Sequence, residues 1–144
     1  MSSKVAAAKD GPMLFDVSRR TLRRYAPGDL FVIAVFVAIG ELAHGSNPLA
    51  VLVAFAQTAV TFGVGWVVVA PLVGAYRSET LSDRWLAIGF PVLAWVGADA
   101  IAQLLRSTRY FEGNAALSFY LVALAFGGLL LGAWRALAYR YFVE

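Results

Sequence analysis

Apolar residues fall into four long blocks, at about 30–43, 49–76, 85–105 and 116–138, separated by short runs of Gly, Pro, Asn and charge. None alternates polar and apolar residues with a period of two, so none reads as a half-buried strand. Three exceed about 18 residues with few charges, the length at which a helix crosses a hydrocarbon core of about 30 Å. The pattern predicts an all-α polytopic membrane protein, a four-transmembrane-helix bundle over 27–140 preceded by a lead-in at 1–26.

The punctuation refines each block. Pro27-Gly28-Asp29 opens the first span, with Asp29 placed as an N-cap for the orphan amides of the helix start. Gly45-Ser46-Asn47-Pro48 closes it, leaving the span short for a bilayer. The second block is longer than a crossing needs, so tilt or a break is expected, with Gly63, Gly65 and Pro71 as the break points.

Met1 to Pro12 is small and polar and reads as disordered. The segment 14–25 carries Arg19, Arg20, Arg23 and Arg24, with Phe15, Leu22 and Tyr25 near one helical face. It reads either as a short helix in the membrane interface or as a charged lead-in that fixes orientation. Ser18-Arg19-Arg20-Thr21-Leu22 touches a twin-arginine export pattern, and Ala43-His44-Gly45 a small-x-small cleavage site. A chain that would still hold three spans after cleavage does not look like exported cargo, so the arginines read as a stop on translocation.

Orientation follows from counting basic residues at the two ends of the spans. Lys4, Lys9, Arg19, Arg20, Arg23, Arg24, Arg77, Arg84, Arg135 and Arg140 share one side, and Arg106 and Arg109 the other. This bias places both termini in the cytoplasm of a multi-pass protein of the cell (plasma) membrane, and opposes dual topology.

Composition narrows the classes. Of 144 residues, 60% are apolar and 15% charged, against roughly half and a quarter in soluble domains. The lipid bilayer is thus the first partner expected. Without cysteine, disulfides and thiolate chemistry are excluded, and His44, the single histidine, allows no multi-histidine metal centre. Basic residues are clustered at span ends rather than arranged for nucleic acid. No cofactor or resident metal is expected.

Small residues recur at steps of four in two spans: Ala94, Ala98 and Ala102 in the third, and Gly128, Gly132 and Ala136 in the fourth. Such stripes let membrane helices approach closely, within the chain, in a homo-oligomer or against a partner subunit. Gly74-Ala75-Tyr76-Arg77 is echoed by Gly132-Ala133-Trp134-Arg135, and Glu41 and Asp99 are offset by the same interval. Duplication of a helical hairpin accounts for this echo, as does the recurrence of aromatic and Arg residues at membrane interfaces.

Ionisable groups within spans are the candidate chemistry. Glu41 and His44 share one face of the first span and Asp99, Gln103 and Arg106 one face of the third, while Gln57, Thr58 and Thr61 form a polar group in the second, with Gln57 and Thr61 on one face. Counting along alternating helices brings these groups toward one layer in the outer half. One reading is an outward-facing polar pocket for a proton, a cation or a cationic group. The other is a structural network in which Arg106 and His44 neutralise Glu41 and Asp99. Glu41-x-x-His44 is half of a di-iron helical motif, and the second half is missing. No nucleophile arrangement or phosphate loop is visible, so no enzyme activity is expected.

Gly28-Asp29, then Phe36-Val37-Ala38-Ile39-Gly40 with His44-Gly45, Gly65-Trp66, Ala70-Pro71-Leu72 with Gly74-Ala75-Tyr76, and Trp134-Arg135 form a recognisable set. It resembles an uncharacterised domain-of-unknown-function family of short four-span membrane proteins found in halophilic archaea and some bacteria. That resemblance implies a fold and a membrane location but no activity. Members of that family carry a basic residue where this chain has Glu41, so no role for Glu41 follows from it. The functions expected are a small proton- or cation-linked transporter and, as the alternative, a non-catalytic subunit or assembly factor of a larger membrane complex.

Overall fold

Four helices account for most of the computed structural model, which describes residues 16–45, 47–111 and 116–144: α1 (Arg19–His44), α2 (Pro48–Val73), α3 (Arg84–Arg106) and α4 (Leu117–Phe142). There is no strand among the described residues. The expected polar lead-in at 1–12, together with Phe15, lies outside them. All four helices are long and apolar enough to cross a membrane. Their outer faces suit lipid: Phe31, Leu52, Val67, Leu104 and Leu129 are 62% to 72% exposed. Trp85 and Tyr141 at one end of the bundle and Tyr110 at the other are also exposed, where amphipathic rings anchor a span at the membrane–water interface. The protein is an all-α, four-span membrane bundle.

Local signals set most helix ends. Asn47 caps α2 by accepting from the amides of Leu49 (3.0 Å) and Ala50 (3.3 Å), with Pro48 in the first turn, where its missing N–H costs nothing. Asp83 caps α3 through Trp85 (2.8 Å) and Leu86 (3.2 Å). Gly74, with φ of 102°, ends α2 in the left-handed conformation that glycine adopts without a Cβ penalty. Hence α2 stops at Val73, short of the expected 76, and Tyr76 is turned back under the bundle. None of Gly63, Gly65 and Pro71 breaks α2, which is continuous through all three.

The first helix departs most from expectation. It starts at Arg19 rather than near residue 30, and Pro27, Gly28 and Asp29 lie inside it. Its N-cap is Ser18, whose hydroxyl accepts from the Thr21 amide at 3.4 Å. The basic segment is therefore the first turns of α1 and not a separate interfacial helix. At 26 residues and 1.5 Å per residue, α1 is about 39 Å long, which removes the expected shortness. Tertiary contacts hold these turns. The Ser18 amide donates to the Tyr76 carbonyl (2.9 Å), the Thr21 hydroxyl to the Arg77 carbonyl (3.3 Å), and the Tyr25 hydroxyl to the Thr80 carbonyl (3.2 Å). Tyr25 thus stands on the short 3₁₀ turn at Ser78–Leu81.

Each helix packs on its neighbours in sequence, and α1 closes the ring against α4. The α2–α3 contact is the most extensive. Gly65 lies so close to the Ala98 backbone that a Cβ there would collide with its carbonyl oxygen. Ala94, Ala98 and Ala102 are fully buried, so the α3 stripe is used within the chain. On α4 the buried line is Ala123, Gly127, Leu131 and Arg135. Gly128, Gly132 and Ala136, one position further on, are only half-buried. Gly128 and Gly132 still face α3, where Trp95, Val92 and Ile88 are their neighbours, while Gly127 lies closer still, directly against Trp95.

An aromatic cluster fills the middle of the ring. Phe62 stacks on Trp95 (centroids 5.2 Å, 14°), and Phe36 meets both rings edge-on at 5.4 and 5.5 Å. Trp66 joins at 6.4 Å from Trp95, whose indole N–H donates to the Ala123 carbonyl at 2.9 Å. Polar groups gather on either side of this layer.

Candidate functional site: a cavity at one end of the bundle and a buried ion pair at the other

Towards the loops that join α1 to α2 and α3 to α4, the bundle holds a cavity of about 460 Å³, a size that suits a small ligand. All four helices contribute to it, most of all α1 and α4. Glu41, His44, Thr58, Arg106 and Ser118 supply polar groups. Phe36, Phe119, Val122 and Ala123 supply apolar wall, and Phe36 connects that wall to the aromatic layer below.

Glu41 accepts from the Thr58 hydroxyl at 2.8 Å, a bond between α1 and α2. His44 is exposed, and its Nδ1 lies 2.8 Å from the Gly40 carbonyl. A carbonyl only accepts, so Nδ1 carries the proton and Nε2 is left to face outward. Arg106 lies over the Phe119 ring, with its guanidinium carbon 4.1 Å from the centroid. Its Nε and Nη1 are buried without a hydrogen-bond partner among the described residues. Glu41 and Asp99 are both within its electrostatic reach, but among the described residues the one ion pair is elsewhere, between Asp29 and Arg135. Arg106 thus acts on Glu41 and Asp99 electrostatically without a direct ion pair to either among the described residues.

Of the seven residues expected at this site, Glu41, His44 and Arg106 line the cavity. Asp99 and Gln103 form a separate group on α3, buried away from it, in which the Gln103 amide donates to Asp99 Oδ1 at 2.9 Å. Thr61 is fully buried and gives its hydroxyl proton to the Thr58 carbonyl (2.7 Å). Gln57 is half-buried on α2 and does not line the cavity. Of the three polar residues of that α2 group, Thr58 is the one that lines the cavity, because its hydroxyl is turned to α1.

On the other side of the aromatic layer lies a group whose members the sequence does not bring together. Arg135 grips Asp29 with two nitrogens, Nε to Oδ1 at 2.8 Å and Nη2 to Oδ2 at 2.7 Å, and both side chains are fully buried. Trp134 donates to Asp29 Oδ1 (3.0 Å) and Tyr76 to Oδ2 (2.7 Å), while Trp66 donates to the Tyr76 hydroxyl (2.9 Å). Arg135 Nη1 donates to the Ala75 carbonyl at 3.1 Å, and its guanidinium lies over the Tyr25 ring at 4.2 Å. Burial, and then the adjacent Asp29 carboxylate, push the Tyr76 phenol well above its ordinary range, so it stays a donor. Gly28 makes room for this group: a Cβ there would overlap the Trp134 ring. Both echoed tetrapeptides take part, since Tyr76 comes from one and Trp134 and Arg135 from the other. Their backbones differ, however, as Gly74 is a left-handed helix cap and Gly132 is mid-helix.

The family model described as "Protein of unknown function (DUF3054)" matches residues 26–138. The chain belongs to this family. The matched stretch takes in the Asp29–Arg135 pair and every residue named in the cavity. No curated protein and no solved structure matches the chain.

Proposed function

We propose that this protein is a small carrier of the cell membrane, non-enzymatic, which binds a compact amphiphilic ligand in the outer cavity. The observation that supports this reading is Arg106: a guanidinium on a cavity wall with two buried nitrogens unpartnered among the described residues. A buried, under-partnered cation of this kind favours an anionic group on the ligand. Glu41, on the opposing helix, suits a hydrogen-bond donor or a cationic group of the same ligand. Phe36, Phe119 and Val122 suit its apolar part. The basic termini, by the positive-inside bias, set the cavity toward the outside of the cell.

The clamp on the far side of the aromatic layer fits the same reading. There Asp29, Arg135 and Trp134 hold α1 to α4, whereas nearer the cavity the two helices leave room between them. The sequence also allowed a subunit or assembly factor, on the strength of the small-residue stripes. Ala94, Ala98 and Ala102 are covered within the chain, which takes the α3 stripe away from that alternative, while the half-buried Gly128, Gly132 and Ala136 of α4 keep part of it.

The test is binding and uptake. Purified protein in nanodiscs is titrated with a panel of small amphiphilic carboxylates and zwitterions, and proteoliposomes are assayed for uptake of those that bind. Arg106→Gln is expected to weaken binding about ten- to hundred-fold, the loss of a charge-assisted hydrogen bond of about 1.5–3 kcal/mol. Equal affinity in the variant, or no binding across the panel, overturns the reading.

A further inference from the structure

Asp99 and Gln103 sit one turn apart on α3, and the two side chains are 0% and 7% exposed. The Gln103 amide nitrogen donates to Asp99 Oδ1 at 2.9 Å. The other two oxygens of the pair, Asp99 Oδ2 and Gln103 Oε1, are buried and have no donor among the described residues. Oxygen atoms left in this condition at membrane depth are costly, because no water is there to complete them. Both are acceptors if Asp99 is ionised, so neither can relieve the other.

One proton removes both deficits at once. A carboxyl group protonated on Oδ2 becomes a donor, and the residue that already bonds Oδ1 carries an amide oxygen that lacks one. The result is the cyclic acid–amide pair of organic crystals: N–H to one carboxyl oxygen, O–H from the other to the amide oxygen. We infer that Asp99 holds a proton at neutral pH, closed in such a ring with Gln103, and is the proton-binding site of the outer half.

The surroundings are consistent with a site for a proton rather than a metal cation. On its own helix Asp99 faces Arg106, and from α1 Glu41 shares that guanidinium. α2 carries no titratable residue. In the outer half of α4 the titratable residue is Tyr120, half-buried. Two oxygens beside a guanidinium make a poor cage for a metal ion that needs about six. They suffice for a proton.

The proton site stands on its own geometry. Its link to the cavity rests on the ligand reading above. Arg106 faces both groups, and an anion seated on it removes the positive charge that opposes a proton on Asp99. By linkage each then strengthens the binding of the other, so anion and proton are taken up together.

Infrared spectroscopy of the ligand-free protein in nanodiscs tests the site directly. At neutral pH the spectrum is expected to show a carboxylic-acid C=O band that is lost in Asp99→Asn and kept in Glu41→Gln. Gln103→Leu, which leaves position 99 intact, is expected to move the band to higher frequency as the ring opens. An acid band that is absent at neutral pH, that survives Asp99→Asn, or that is unmoved in Gln103→Leu overturns the proposal. Because no ligand is present, these outcomes are independent of the carrier reading. A panel without any binder leaves the band in place, and a binder with no Asp99 band leaves the cavity without its proton.

Discussion

Asp29 accepts four hydrogen bonds, from Tyr76, Trp134 and two nitrogens of Arg135, which saturates a carboxylate with about four lone-pair sites. Removing either charge strands the other where it cannot be solvated. Asp29→Ala and Arg135→Ala are each expected to cost about 3–5 kcal/mol, read as unfolding free energy in detergent. Asp29→Leu/Arg135→Leu is expected to cost well under the sum of its single changes, because it strands no charge, only the Tyr76 and Trp134 donors. Additive single and double variants would mean that the two groups do not depend on each other. At Arg106 the situation is reversed, since two of its nitrogens lack a partner among the described residues, and on the carrier reading a change there is expected to alter ligand binding more than folding. The sequence showed these groups unequally. Arg106, Glu41 and His44 were legible as charges inside or at the edge of apolar blocks. Asp29 and Arg135 were not, because each lies near a span end, where a cap and an inside-flanking charge explain it as well as a partner distant in sequence does.

Helix boundaries show the same division between local and distant causes. Asn47-Pro48, Asp83 and Gly74 act on their own neighbours, so the starts of α2 and α3 were legible, and the end of α2 was missed only because the Tyr76 interface motif outweighed the glycine. Pro27-Gly28-Asp29 reads as a helix start for good local reasons, since an internal proline costs about 3 kcal/mol. What carries α1 through it is tertiary: the Asp29 pair, the Tyr76 carbonyl taken by Ser18, and the Tyr25 seat on Thr80. Glycines in α2 separate equally clearly. Gly65→Ala forces a Cβ onto the Ala98 backbone, which cannot yield, and is expected to cost about 1–3 kcal/mol. A Cβ added at Gly63 would meet nothing within 4 Å, so Gly63→Ala is expected to be neutral or to stabilise by up to about 1 kcal/mol. Thermal midpoints of the two variants in the same detergent decide this. A loss at Gly63 as large as at Gly65 would show that α2 needs flexibility at both positions.

Across the whole molecule, four antiparallel spans bring the start of α1 beside the end of α4, where Arg24 Nη1 donates to the Phe142 carbonyl at 3.1 Å. The cavity is at the opposite end. With the basic end inside, Ser107, exposed beside Arg106, faces out, and Ser78, exposed on the 3₁₀ turn, faces in. The chain has no cysteine, so single-cysteine variants need no background changes. Ser107→Cys is expected to react with an impermeant maleimide on intact cells, and Ser78→Cys only after permeabilisation. The converse pattern would put the cavity in the cytoplasm. Four spans and their class were legible because hydropathy is a local sum. The ring closure of α1 on α4 was not, since it rests on side chains more than a hundred positions apart.

The aromatic layer has an electrical consequence. Phe36, Phe62, Trp66 and Trp95 form a septum of low dielectric response between Arg106 and the cavity on one side and Asp29 and Arg135 on the other. A transmembrane voltage falls chiefly across the least polarisable stretch of its path, so this septum takes most of the drop. A charge that reaches Arg106 from the cavity therefore crosses little of the field. One carried past the rings to the inner pair crosses most of it, worth about 2.3 kcal/mol per 100 mV.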